Sequence, residues 1–274
     1  MSLKGKIEIA GLTDVGSVRD HNEDAIISKE TLGLAILADG MGGHRGGEVA
    51  SAITVSTIME NLTKKLRNLK ENGTDDETGY SLESLAVHDA VKQANASVLT
   101  SSNENKQYQG MGTTVVVLLF YDNRFTVAHV GDSRLYRLRD GLLEQITRDH
   151  SLMQELIDRG FYTPEQARKS LNKNLVTRAV GIDEAVQIDI QEDIARVGDI
   201  YLLCSDGVTD MIEDDLIQEI LKENSNNLEK AAAELVREAN LRGGKDNISA
   251  LLARPLKPFP GKNSLFSKFF DLFS

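Results

Sequence analysis

Two periodicities alternate along the chain. Apolar and β-branched runs over Lys6–Thr13, Gly33–Ala38, Thr113–Tyr121, Phe125–Val130, Ser133–Leu138, Val186–Ile190, Asp199–Cys204 and Ile248–Ala253 read as strands. Between them the spacing turns helical. From about Gly47 to Lys70, Val55, Met59, Leu62, Leu66 and Leu69 recur on one face, which predicts a helix packed on a core. Further helices are predicted over Leu82–Leu99, Leu216–Lys222 and Leu228–Leu241. Glu71–Gly79 is polar and glycine-containing and reads as a loop. Asp122-Asn123 and Asp140-Gly141 mark tight turns, and connections that short argue for antiparallel strands. Ser151–Asn174 switches to charged, helical sequence in the middle of the strand block and reads as an inserted flap. Two antiparallel sheets packed together, with helices outside each, would bury every apolar face. The expected fold is therefore α+β, a four-layer α-β-β-α sandwich.

The length, 274 residues, suits one large domain or a domain with a tail. The expected division is a domain over 1–254, with a flap subdomain at about 149–175, then a segment over 255–274. That last segment opens as a Pro-rich linker, and Phe266, Phe269, Phe270 and Phe273 then share one face of a short amphipathic helix. This face either packs on the parent domain or frays, or it makes a weak contact with a membrane surface or a partner.

Charge and cysteine usage narrow the function. A net charge of -11 makes the chain a poor binder of nucleic-acid backbone. Carboxylates gathered in one cleft would instead attract divalent cations. The single cysteine, Cys204, excludes an intramolecular disulfide and a Cys-rich zinc site. The N-terminus has no apolar signal core, and no run approaches the roughly 18 apolar residues of a membrane span. A cytoplasmic protein is expected.

Five short segments share one form, an apolar strand or Gly-rich turn delivering an aspartate. They are Arg19–Asp24, Asp39-Gly40-Met41-Gly42-Gly43-His44, Gly131-Asp132-Ser133, Ser205-Asp206-Gly207 and Gly243–Asn247. Each alone is an ordinary turn. Turn chemistry explains the glycines, but not a carboxylate closing the buried-looking strands before Asp39 and Asp206. Mg²⁺ and Mn²⁺ prefer carboxylate, carbonyl and water oxygens.

These segments, in this order, resemble the phosphatase type 2C (PPM-type) family of metal-dependent serine/threonine protein phosphatases. The match is closest to the short bacterial members that oppose membrane serine/threonine kinases. It covers roughly Ile9 to Ala253. The resemblance implies a sandwich of two antiparallel sheets flanked by helices, two Mn²⁺ or Mg²⁺ ions with a weaker third, and hydrolysis of phosphoserine and phosphothreonine in proteins. It assigns Asp39 to bridge two metals and Asp206 and Asp246 to complete the first site. The carbonyl of Gly40 would bind the second metal with Asp24 nearby, Glu23 being the alternative. Asp132 with Asp206 would hold the third. Arg19 would grip the substrate phosphate, which suits a guanidinium fork. His44 is a candidate general acid for the leaving alcohol. A metal-activated hydroxide would attack phosphorus in line, with no phosphoenzyme. The implied partners are phosphoproteins and a serine/threonine kinase, and a monomer is expected.

Competing readings stand beside this one. A cysteine phosphatase needs Cys-x5-Arg, but Asp210 occupies the Arg position, so Cys204 reads as core. Gly40–Gly47 fits neither the Walker pattern nor the dinucleotide pattern, where Arg45 takes the place of the third glycine. His88 and His129 read as structural, while His21 and His150 stay open. Arg159, Arg168 and Lys169 in the flap are either a solvated face or a lid touching substrate. A catalytically dead phosphoprotein-binding module and a simple divalent-ion binder remain the alternatives to an enzyme.

Overall fold

The computed structural model describes residues 2–43, 45–69, 73–163, 166 and 175–261. Eleven strands form among them: β1 (Ile7–Asp14), β2 (Asp24–Lys29), β3 (Leu34–Met41), β4 (Gly112–Thr113), β5 (Val115–Tyr121), β6 (Arg124–Val130), β7 (Arg134–Arg139), β8 (Leu142–Gln145), β9 (Asp189–Ile194), β10 (Ile200–Cys204) and β11 (Ile248–Pro255). The helices are α1 (Gly46–Asn68), α2 (Leu82–Glu104), α3 (Leu152–Asp158), the single turn α4 (Asp206–Thr209), α5 (Asp214–Glu223) and α6 (Leu228–Leu241).

The strands make two sheets, ordered β1-β11-β10-β7-β8 and β2-β3-β5-β6-β9, with β4 paired to β3. Every paired strand runs antiparallel. Three apolar layers hold the sheets and helices together. One lies between the second sheet and α1 and α2, through Ile36, Ile58, Val87 and Val117. One lies between the first sheet and α5 and α6, through Leu202, Ile217, Leu235 and Ala250. The third fills the seam between the sheets, through Leu37, Leu118, Phe125, Tyr201 and Leu251. The four-layer sandwich follows directly from that arrangement.

The helix spacing predicted α1 to within two residues, and α2 runs one turn further than expected. Two strands carried too weak a signal to predict. β2 reads Asp-Ala-Ile-Ile-Ser-Lys and opens on a charged residue, and β8 has only four residues at a sheet edge. β9 starts at Asp189, three residues beyond the predicted run from Val186. Its polar sequence, with no fully buried residue, is that of a sheet edge rather than a buried run. Beyond β11 the chain stays on the domain. Phe259 is buried edge-on against Phe120, and its N–H donates to Asn123 Oδ1 at 2.6 Å. Of the predicted flap helix, Leu152–Asp158 is helical, while Arg168 and Lys169 lie outside the described residues, as does the segment 262–274.

Candidate active site at the mouth of the inter-sheet seam

Strand parity decides which side chains reach the site, because successive residues point to opposite faces. On β3, Ala35 and Leu37 enter the seam, and Asp39 comes next on that face. On β10 the seam series Tyr201, Leu203 ends at Ser205. On β11, Ala253 and Leu251 lead back to Ser249, and on β5, Leu118 and Val116 lead back to Thr114. The apolar seam thus ends at one mouth in a polar set.

The hydrogen bonds there cross between the sheets. Asp24, buried on β2, accepts at Oδ2 from Ser205 Oγ at 2.8 Å and from Ser249 Oγ at 2.6 Å. Its other oxygen, Oδ1, is buried without a hydrogen-bond donor. Asp39 is the direct cross-strand partner of Asp24. Thr114 Oγ1 accepts from the Asp39 N–H at 3.2 Å and also pairs with Ser133 Oγ at 2.7 Å.

The remaining aspartates come from turns held by close backbone approach. Asp206 opens α4 directly after β10. Gly207 follows it because a Cβ there would stand 2.0 Å from the carbonyl oxygen of Asn247. Gly40 is constrained likewise, since its Cβ would meet the Gly47 carbonyl oxygen at 2.1 Å. Asn247 braces the loop carrying Arg19 and Glu23. Its Nδ2 donates to the carbonyls of Val15 and His21, each at 3.0 Å, and its Oδ1 accepts from the Glu23 N–H at 2.8 Å. Asp246 accepts at Oδ2 from Arg19 Nη2 at 2.7 Å. Asp132 sits in the turn between β6 and β7, and Gly131 before it exchanges two bonds with His150. The Gly131 N–H donates to Nδ1 at 3.1 Å, and the His150 N–H donates to the Gly131 carbonyl at 2.9 Å.

Electrostatics show how closely these groups crowd. Burial, and then the neighbouring carboxylates, hold Asp39 and Asp206 well above the usual carboxylate range. Asp24, Asp132, Asp206 and Asp246 all act on Asp39. Burial pushes Asp24 up to about 6 despite its two serine donors. Burial, and then the charge of Asp149, push Asp132 up to about 6. Like charges confined out of water are costly unless a counter-charge joins them. The donors are all oxygen, and Asp24 Oδ1 lacks a partner. That set fits a hard divalent cation and is unsuited to a soft one.

Of the residues singled out from sequence, Arg19, Asp24, Asp39, Gly40, Asp132, Asp206 and Asp246 all belong to this mouth. Glu23, the alternative to Asp24, lies on the Gly40 side of the site: a Cβ on Gly47 would stand 2.8 Å from both Glu23 Cδ and the Gly40 carbonyl oxygen, and Glu23 Oε1 is 3.5 Å from His21 Nε2. His44 lies outside the described residues. Cys204 is fully buried, and burial pushes its thiol up to about 12, so it is core. His129 and His150 stack at 4.5 Å at the base of the flap. Arg178 donates to Asp189 there at 2.9 Å and lies 3.2 Å from His150 Nε2. Burial, and then His129, press His150 down to about 4, so it is neutral at physiological pH. The bridge between Ser151 and Val176 closes the same base. Sequence reasoning missed Ser205, Ser249, Thr114 and Asn247. The first three were detectable as polar residues continuing the seam parity of a strand, and Asn247 only as the neighbour of Asp246.

A cluster of aspartates at one mouth of an α-β-β-α sandwich, with an arginine beside it, outlines a site suited to hard divalent cations. Comparison with known proteins gives the family. Residues 17–243 match the family described as Protein phosphatase 2C. The serine/threonine phosphatase Stp of Listeria monocytogenes is 35% identical over 88% of this chain and 92% of its own length. The serine/threonine protein phosphatase PstP of Mycobacterium tuberculosis is 38% identical over 90% of this chain, which spans 45% of that longer protein. The crystal structure of PstP from Mycobacterium tuberculosis superposes with a TM-score of 0.80 at 36% identity, covering 90% of this chain and 98% of that one. A structure of the PstP catalytic domain in complex with two manganese ions gives 0.77 at 36% identity, covering 90% and 97%. The chain belongs to the protein phosphatase 2C family. Among the described residues no helix is long and apolar enough to cross a membrane.

Proposed function

We propose that this protein hydrolyses phosphoserine and phosphothreonine in other proteins, with Asp39, Asp206 and Asp246 as ligands of one divalent ion. Asp39, the Gly40 carbonyl and Asp24, with Glu23 as the alternative to Asp24, serve a second ion, and Asp132 with Asp206 a weaker third. The observation that carries this reading is the crowding of buried carboxylates around Asp39, with Asp24 Oδ1 left without a donor. When bound, the ions supply Lewis acidity, lowering the pKa of a water and offsetting charge on the phosphoryl oxygens.

The protein's own residues do the rest. Ser205 and Ser249 fix the Asp24 carboxylate from the opposite sheet. Thr114 and Gly47 hold β3 so that Asp39 and Gly40 keep one geometry. Arg19, exposed and tethered to Asp246, is placed to take a phosphoryl oxygen with its remaining N–H groups. His44 is the candidate proton donor to the leaving serine or threonine oxygen. Manganese is favoured as the ion because the PstP catalytic domain was solved with it, and Mg²⁺ presents the same oxygen preference. The partners are phosphoproteins and an opposing serine/threonine kinase, in the cytoplasm, with the phosphatase as a monomer.

Phosphate release from a phosphothreonine peptide tests the reading. Turnover with Mn²⁺ that is lost in EDTA and in Asp206→Asn supports it. A folded protein that binds Mn²⁺ without turnover would instead be a phosphoprotein-binding module.

A further inference from the structure

His129, His150 and Asp189 gather at the base of the flap, with one ligand-type atom of each within 4.8 Å of the others. His129 and Asp189 are cross-strand partners on β6 and β9, and the His150 ring stacks on that of His129. Such a trio suggests a metal site of its own, but its hydrogen bonds are already committed. His150 Nδ1 accepts from the Gly131 N–H at 3.1 Å, so it is the nitrogen with the lone pair. The ring is neutral, because burial and then His129 press it down to about 4. Its one proton therefore sits on Nε2, which faces Asp189 Oδ2 at 3.2 Å. Arg178 Nη1 is anchored on Asp189 Oδ1 at 2.9 Å and stands 3.2 Å from the same Nε2. A proton and a guanidinium thus occupy the space that a cation would need.

The committed bonds lead to the carboxylate cleft instead. Gly131 immediately precedes Asp132 and adopts a φ of 104°. A Cβ on it would stand 2.6 Å from Thr114 Cβ, so the turn is pressed against that residue. On the other side of Asp132, Ser133 Oγ pairs with Thr114 Oγ1 at 2.7 Å. Asp132 is therefore aimed by two fixed neighbours. The His150 backbone ties the first of them to the flap. Its N–H donates to the Gly131 carbonyl at 2.9 Å, and its carbonyl accepts from the Thr177 N–H, on the returning arm of the flap, at 2.8 Å. The imidazole adds an acceptor for the buried Gly131 N–H. A buried N–H without an acceptor is costly, so losing Nδ1 would shift the turn.

We propose that His150 is a positioning residue for Asp132, its Nδ1 kept as an acceptor by Asp189 on the far side of the ring, so that the Gly131 amide and the carboxylate after it hold one direction. This rests on the reading of Asp132 as a ligand of the weaker third ion. His150 and Asp189 then stand one layer out from that ion, where a lost partner typically costs about 10–100-fold in metal affinity.

Two amides separate the two ring nitrogens. Asparagine places Oδ1 where histidine has Nδ1, whereas the glutamine amide reaches the place of Nε2. In the full-length, metal-free protein labelled with ¹⁵N-glycine, the Gly131 amide should exchange at the parent rate in His150→Asn and many-fold faster in His150→Gln. Calorimetric titration with Mn²⁺ should show the weakest site retained in His150→Asn and weakened about 10–100-fold in His150→Gln, with the tighter sites unchanged. If His150→Gln does not fold, His150→Phe keeps an aromatic ring for the stack on His129, lacks the acceptor, and carries the same readouts. Unchanged Gly131 exchange without the acceptor overturns the proposal, as do equal losses in His150→Asn and His150→Gln. Asp132→Asn separates the two levels of failure. If it loses the weakest site while His150→Gln keeps it, only the positioning role falls. If it leaves the titration unchanged, the third-ion reading fails and the proposal falls with it.

Discussion

Asp24 and Asp39 are direct cross-strand partners on β2 and β3, two carboxylates side by side at the mouth of the inter-sheet seam. Burial drives both above the normal carboxylate range, Asp24 to about 6 from an ordinary 3.8. Each therefore binds protons more tightly folded than unfolded, so the folded state loses stability as pH rises through the folded value. The metal-free protein should become more stable as pH falls from 7 toward 5, where the unfolded chain keeps these groups charged. For Asp24 the displacement corresponds to on the order of 3 kcal/mol. Thermal melts in EDTA across this range check it. A melting temperature that stays flat or falls between pH 7 and 5, with the same slope in Asp24→Asn, would contradict the assignment.

Asp206 lies in the same repulsive field, pressed upward by burial and by Asp132, Asp210 and Asp246. Asp206→Asn removes one charge from that field. The metal-free variant should melt at or above the parent temperature at pH 7.5, yet gain less from added Mn²⁺. Partners one shell out from a metal cost about 10–100-fold when lost, so a direct ligand should cost at least about a hundredfold in turnover. The paired measurement is a melt with and without Mn²⁺ beside an activity assay. A variant both less stable without metal and fully active would remove Asp206 from the site.

Much of this molecule was legible in its sequence, for identifiable physical reasons. The long helix after Gly47 and the strands ending at Asp39 and Asp206 announce themselves through period and burial. The aspartates stand out because an apolar strand has no structural use for a carboxylate at its end. What stayed hidden depends on partners far away in the chain. Ser205 and Ser249 look like ordinary small polar residues until the fold brings both onto Asp24 from the other sheet. β2 escaped because its strand character comes from pairing with β3 rather than from its own composition. Phe259 read as part of a linker, yet it is buried, because the pocket that takes it is built from β5 and the seam.

Ser249 offers a test of that hidden layer. Its hydroxyl donates to Asp24 Oδ2, and its N–H donates to Ser205 Oγ, which donates to the same oxygen. Ser249→Ala removes a hydrogen bond to a carboxylate, worth about 1.5–3 kcal/mol when the carboxylate is charged. Asp24 should then hold its proton more tightly. The expected result is weaker Mn²⁺ binding, with the loss growing as pH is lowered from 8 to 6.5. Calorimetric titration at both pH values reads it. Equal affinity for parent and variant at both would mean that Asp24 does not need its serines to serve a metal.

Arg19 separates binding from architecture. Its guanidinium is half exposed, and its bond to Asp246 spans a partly solvated pair, so the pair contributes about 1 kcal/mol or less to stability. Its bond to Asp246 nonetheless holds the side chain at the edge of the carboxylate cleft. A charged hydrogen bond to a phosphoryl oxygen is worth about 1.5–3 kcal/mol, which is roughly 10–100-fold in kcat/KM. Arg19→Ala should therefore lose activity on that scale while its melting temperature barely moves. Arg19→Lys should recover part of the loss, because it restores a cation without the planar fork. The loss should appear mainly in KM if the contact is equal in substrate and transition state, and in kcat if it tightens as phosphorus is attacked. Steady-state kinetics with a phosphothreonine peptide resolve the two. Unchanged kinetics in Arg19→Ala would leave Arg19 as a tether for Asp246 and send the search for the phosphate grip elsewhere in the cleft.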